Sequence, residues 1–142
     1  AMTVFTWPLR VYYEDTDSGG VVYHANYLRF LERARTEWLR WLGFEQDELL
    51  RTEGIVFAVR EVQLAYHRPA RFNDRLNVQS TISLLRKASM TFVQHIYRDE
   101  STRTEDQILL CTAEVKVACI SAQSFRPTAF PPALWTELNR ER

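Results

Sequence analysis

From Asn26 to Gly43 apolar residues recur at Tyr27, Phe30, Leu31, Ala34, Trp38, Trp41 and Leu42, the spacing of one long α-helix with Asn26 as its N-cap and Gly43 as its stop. Leu28 and Leu39 widen the apolar arc to roughly 180°, broader than the stripe of an ordinary surface helix. Such a helix has to be wrapped by something. The chain beyond it is largely strand-like: segments 55–66, 75–85, 89–98 and 108–120, separated by turn-rich stretches at 69–74, 86–88 and 99–106. Alternation is cleanest in the last strand, where Leu109, Cys111, Ala113, Val115, Val117 and Cys119 share one face and Thr112, Glu114 and Lys116 the other. A shorter strand containing Leu9, Val11 and Tyr13 precedes the long helix, and a short helical stretch at 46–51 comes after it. After Pro127, the residues Leu134, Trp135 and Leu138 mark a covering helix. The expected fold is α+β, a curved antiparallel β-sheet wrapped around one long central helix, in a single domain over 1–142. Strands this long leave open edges, and pairing them across a two-fold axis predicts at least a dimer.

At 142 residues the chain can bury about two thirds of its extended surface. Its 18 Lys+Arg balance 18 Asp+Glu, so no general field draws a nucleic acid or an anionic membrane to it. Apolar runs are far shorter than the ~20 residues of a membrane span, and the N-terminus has no basic-then-apolar signal layout, so a cytoplasmic protein without a membrane span is expected. Cys111 and Cys119 lie on one strand, roughly 26 Å apart if extended, and do not bridge there. Arg35 falls inside the apolar arc of the helix and needs a carboxylate, from Glu32 one turn earlier or from a facing element.

The residues that carry chemistry are concentrated ahead of the helix. Glu14, Asp15 and Asp17 crowd into four positions, succeeded by Gly19-Gly20 and the helix start. A carboxylate beside the free N–H groups of a helix N-terminus suits acyl transfer, because those groups can hold a developing oxyanion. An acidic, solvated turn capping the helix would have the same composition. There is no Gly-rich phosphate loop, no Gly-x-Ser-x-Gly elbow and no His-Glu-x-x-His pair. His24, His67 and His95 are scattered, and no metal is needed to account for the residues.

The run from Tyr13-Glu14-Asp15-Thr16-Asp17 through Gly20-Val21-Val22-Tyr23-His24 to Asn26-Tyr27, then Glu32-Arg33-Ala34-Arg35, closely resembles the hydroxybenzoyl-CoA thioesterase-like branch of the hotdog superfamily. Within it, the resemblance is to the acyl-CoA thioesterases associated with the Tol-Pal cell-envelope system. A second matching stretch runs from Tyr66 through Pro69-Ala70 to Asp74.

The resemblance implies a hotdog fold, dimers that associate into tetramers, and active sites between subunits. It implies hydrolysis of an acyl thioester on coenzyme A or acyl carrier protein, with coenzyme A as part of the substrate and no further cofactor. Asp17 matches the catalytic carboxylate, as nucleophile or as general base for water. His24 stands where the helix-start N–H polarises the thioester carbonyl. Tyr13 and Tyr23 match acyl-pocket positions, and Arg86, Lys87 and Ser89 in a hairpin match the contact to the nucleotide phosphates, for which cations and a hydroxyl are physically suited. Arg68 and Arg71 are weaker candidates for that contact. The resemblance also places the protein in lipid metabolism, near acyl carrier protein and phospholipid-synthesis enzymes.

Other readings compete. Glu32 and Glu37 are rival carboxylates on the helix. A hotdog hydroxyacyl dehydratase would use His24 as base with Glu32, and a noncatalytic acyl-carrier or lipid-synthesis scaffold would keep the pocket without turnover.

Overall fold

The computed structural model describes residues 2–99 and 107–142. The sequence-predicted turn at 99–106 lies, apart from Asp99, outside the described residues. Five strands form one antiparallel sheet in the order β1-β3-β4-β5-β2: β1 Phe5–Arg10, β2 Ile55–Tyr66, β3 Arg75–Leu85, β4 Ser89–Asp99 and β5 Gln107–Ser121. Helix α1, Asn26–Trp41, lies on one face of this sheet, with α2 at Gln46–Glu53 and α3 at Pro132–Glu141.

The core forms where the apolar side of α1 meets alternate residues of the strands. Phe30, Leu31, Ala34 and Trp38 are buried against Leu76, Val78 and Ile82 of β3, Phe92 and Ile96 of β4, and Val115 of β5. Trp38 stacks on Phe5 of β1 at 5.6 Å and meets Phe92 edge-on at 5.9 Å. Leu134 and Leu138 of α3 close the core, as expected of a cover. Cys111 and Cys119 are buried and unbridged, and burial pushes their thiols up to about 12 and about 11.

Four expectations need correction. Asn26 is the first residue of α1 rather than its cap; the cap is Ala25, and the Asn26 side chain instead donates to Asp15. The first strand runs from Phe5 to Arg10, earlier than the alternation through Tyr13 indicated, because the chain turns into a single 3₁₀ turn at Tyr13–Asp15. Pro8 is tolerated there since β1 is an edge strand, where a missing N–H donor need not break a ladder. In β5 it is Leu110, at 0% exposure, that enters the core rather than Leu109. A register shift between Ile96 and Tyr97 on β4 skips Leu110 and flips the alternation beyond it.

The fourth concerns Arg35. It is 9% exposed, and its Nη1 donates to the neutral Gln94 amide oxygen at 3.0 Å rather than to a carboxylate. Gln94 in turn donates to Leu31 O and Ser80 Oγ, so the polar group on the apolar arc is absorbed by a hydrogen-bonded core network. Burial lowers the Arg35 guanidinium to about 10, which leaves it charged at neutral pH; the charge of Glu32 acts in the opposite direction.

Candidate active site

The acidic segment folds as a miniature hairpin. Thr16 bridges Val22, Asp17 N–H donates to Val21 O at 2.8 Å and Gly20 N–H to Asp17 O at 3.1 Å. The turn needs its glycines: Gly20 has φ of 81°, and a Cβ on Gly19 would sit 3.1 Å from Asp17 Oδ1. The hairpin docks onto the stretch after β2 through Val22 N–H to Ala70 O at 2.8 Å and a bridge between Val21 and Arg71.

This geometry separates the crowded carboxylates. Asp15 is buried, its Oδ1 accepting from Asn26 Nδ2 and its Oδ2 from Tyr12 N–H, both at 2.8 Å. It ties β1, the hairpin and the head of α1 together and has no oxygen left for a substrate. Glu14 points its backbone into the 3₁₀ turn and is exposed. Asp17 is exposed, with Oδ1 accepting from Gly19 N–H at 2.8 Å and Oδ2 without a partner among the described residues. One side of its carboxylate is held and the other is open.

Directly after the hairpin comes the head of α1. Asn26 N–H donates to Tyr23 O at 2.8 Å, and the His24 carbonyl accepts from the Tyr66 hydroxyl at 2.6 Å. The His24 and Ala25 amides have no acceptor among the described residues. No acidic residue occupies the first turn of α1, and the Asp15 carboxylate at its head bonds the Asn26 side chain rather than the His24 and Ala25 amides. The His24 imidazole is exposed and packs on Tyr23 at 4.5 Å. The fold thus brings an open carboxylate and open helix-start amides to one end of the sheet, with Asp17 and His24 on the same small hairpin-to-helix unit.

Other sequence-predicted residues are arranged differently. Tyr13, 79% exposed, meets Phe72 edge-on at 5.5 Å, and Tyr23 is half-exposed beside His24. Neither closes a pocket within one chain. Phe57 instead lines a cavity of about 140 Å³ between α1 and the sheet, with Glu32, Arg35, Met90 and Phe92. Glu37 is held by Arg40, so it is not an open rival to Asp17. Arg86, Lys87 and Ser89 form the tip between β3 and β4, with Arg86 N–H on Ser89 O. The hairpin that carries Asp17 docks at Ala70 and Arg71, just ahead of β3, and ten strand steps from Arg75 to Leu85 put the tip about 33 Å from that end of the strand. Within one chain these residues and Asp17 are not brought together. Closer to the hairpin, Arg10, Arg71, Arg75 and Arg98 line an open hollow of about 430 Å³ with Asp74 and Asp99. Of these, sequence reasoning named Arg71 alone; the direct pairing of Arg10 with Arg75 across β1 and β3 becomes visible only once the register is known. Among the described residues no group of His, Cys, Asp and Glu could hold a metal ion.

The model of the thioesterase-like superfamily matches residues 11–138. A relative from Escherichia coli named acyl-CoA thioester hydrolase YbgC is 45% identical over 138 residues, covering 97% of this chain and 98% of that protein. A crystal structure of a probable thioesterase from Bartonella henselae, 37% identical, superposes with a TM-score of 0.81 over 91% of this chain and 100% of the other. The structure of a 4-hydroxybenzoyl CoA thioesterase variant complexed with 4-hydroxybenzoyl CoA shares the fold, with a TM-score of 0.82 at 22% identity over 95% of this chain and 97% of that one.

Proposed function

Because the chain belongs to the thioesterase-like superfamily, has the hotdog fold and is an acyl-CoA thioester hydrolase, we propose that Asp17 and the amides at the head of α1 carry out the hydrolysis. What supports this is one juxtaposition: an exposed carboxylate with a free Oδ2, on a hairpin that runs directly into two unpaired helix-start amides. The amides receive the thioester oxygen and stabilise the negative charge that develops on it. Asp17 then acts in one of two ways. As general base it takes a proton from water while the water oxygen adds to the carbonyl carbon. The oxyanion collapses, the C–S bond breaks, and the proton passes to the departing thiolate, giving acid and thiol with Asp17 restored. As nucleophile its Oδ2 bonds to the carbonyl carbon and expels the thiolate, and water then cleaves the acyl-aspartyl anhydride, supplying the protons that leave free acid and thiol.

A single chain leaves this site open to water and without a phosphate contact from the β3–β4 tip. In the proposed assembly a second copy supplies Arg86, Lys87 and Ser89 to the nucleotide of the acyl-CoA and the missing wall around Tyr13 and Tyr23. The same reading extends to a tetramer of such dimers. No described helix is long and apolar enough to cross a membrane. Cytoplasmic location, acyl carrier protein as an alternative donor, contact with phospholipid-synthesis enzymes and a link to the Tol-Pal system are further parts of the proposal that rest on the sequence resemblance.

The dehydratase alternative would need His24 and Glu32 at one reacting carbon. Glu32 lines the α1 cavity beside Arg35, about 9 Å further along the helix axis than the residue that starts α1. The discriminating experiment offers the native protein matched acyl-CoA and enoyl-CoA chains. Thiol release without hydration is the expected result; hydration of the enoyl chain with no thiol release would replace this reading.

A further inference from the structure

Tyr66 ends β2, far in sequence from the hairpin, and its hydroxyl donates to the His24 carbonyl at 2.6 Å. Its ring meets Tyr27 of α1 edge-on at 5.4 Å, and the Tyr27 hydroxyl accepts from Ala70 N–H at 3.0 Å. The phenol is thus held between the edge strand, the first turn of α1 and the stretch that docks the hairpin. Partial burial raises the Tyr66 hydroxyl above its ordinary value, so it remains a donor.

The contact matters because of what shares a peptide unit with the His24 carbonyl. A peptide unit is planar, and in the trans form its C=O and N–H point in opposite directions; no peptide bond among the described residues is cis. Holding the His24 oxygen therefore aims the Ala25 N–H the opposite way. A hydrogen bond to the oxygen also polarises the unit and strengthens its N–H as a donor. The preceding unit is held similarly, since Tyr23 O accepts from Asn26 N–H, which aims the His24 amide. Both amides are left without acceptors among the described residues.

We propose that Tyr66 is a positioning residue for thioester hydrolysis: by holding the His24 carbonyl it orients the Ala25 amide as a second donor, beside that of His24, for the oxyanion formed at the thioester carbon. This rests on the assignment of the α1 head as the carbonyl site. Tyr66 touches no reacting atom. Its effect falls mostly on the transition state, where the oxygen carries most charge, and only weakly on the polarised carbonyl of the bound substrate.

Tyr66→Phe removes the hydroxyl and keeps the ring against Tyr27. Loss of a whole oxyanion donor costs about 10²–10³ in kcat. Misdirecting one is expected to lower kcat for an acyl-CoA about tenfold, with KM within twofold and the thermal midpoint close to native. A purely structural role would not move the thioester C=O stretch of bound, carbonyl-labelled acyl-CoA. That band, read by difference infrared in the Asp17→Asn background, is expected to lose part of its downshift when Tyr66→Phe is added. Tyr66→Leu, which also removes the ring packing, is expected to be less stable than the Phe variant and equally slow. Native kcat in Tyr66→Phe overturns the proposal, as does a fall in kcat with an unmoved carbonyl band. If Asp17→Asn is inactive while Tyr66→Phe is fully active, only the role of Tyr66 fails. If Asp17→Asn turns over normally, the site assignment itself fails.

Discussion

Asp15 and Asp17 stand two positions apart and serve opposite ends. Both oxygens of Asp15 accept hydrogen bonds inside the fold, whereas one oxygen of Asp17 is open to a substrate. Replacing Asp15 by Ala removes both acceptor oxygens, so two bonds are lost and the Tyr12 N–H and the buried Asn26 amide are left unpaired. A loss of about 1–3 kcal/mol is expected from denaturant unfolding, together with reduced turnover because the hairpin loses its anchor to α1. An unchanged unfolding midpoint would contradict the clamp. The sequence carried the importance of this segment, since three carboxylates before a helix start are legible as a concentration of charge. It did not carry the division of labour. Spacing suggested Asn26 as a cap, but its side chain pairs with a carboxylate eleven positions earlier, and that contact exists only after the hairpin has formed.

At the scale of elements, β2 leaves apolar residues uncovered. Val59, Val62 and Tyr66 are exposed although they pair with Val117, Val115 and Cys111, which are buried. Paired residues share a face, so these three belong to the inner face of the sheet, kept in phase by a register shift between Val59 and Glu61. Helix α1 reaches this edge only in part, through Tyr27 against Tyr66 and the cavity lined by Val59, and leaves the strip exposed. On the proposed assembly a second copy would cover the strip, and Val62→Glu is expected to reduce the sedimenting mass and the turnover together. A native mass for that variant would remove β2 from the proposed interface. Strands β2 and β3 matched their sequence-predicted limits and β4 and β5 came within a residue at each end, because alternation and turn residues are local signals. Leu110 and the register shift opposite it were not legible, since a bulge is set by the partner strand. The broad apolar arc of α1 is buried from Phe30 round to Leu39, as its width predicts, while Leu28 and Trp41 stay exposed in one chain.

For the whole molecule, the separation of about 33 Å between the β3–β4 tip and the start of β3 is the decisive dimension. The sequence motif named both Asp17 and the Arg86-Lys87 tip, but only the folded sheet reveals that they lie at opposite ends. If a partner supplies the tip, two defective chains should complement each other. An Asp17→Asn chain and an Arg86→Ala/Lys87→Ala chain are each expected to be weak alone, while refolding them as an equal mixture restores one sound site per mixed dimer. Random pairing would then return about one quarter of native turnover. A mixture no better than the average of its components would place the phosphate contact elsewhere, with the Arg10, Arg71, Arg75 and Arg98 hollow as the next candidate. The most direct test of the central claim is thiol release from short, long, branched and aromatic acyl-CoAs by native protein and Asp17→Asn measured side by side. The expected result is turnover by the native chain and its loss in a variant that remains folded and still binds acyl-CoA; equal turnover by the two would contradict Asp17 as the residue that performs the hydrolysis.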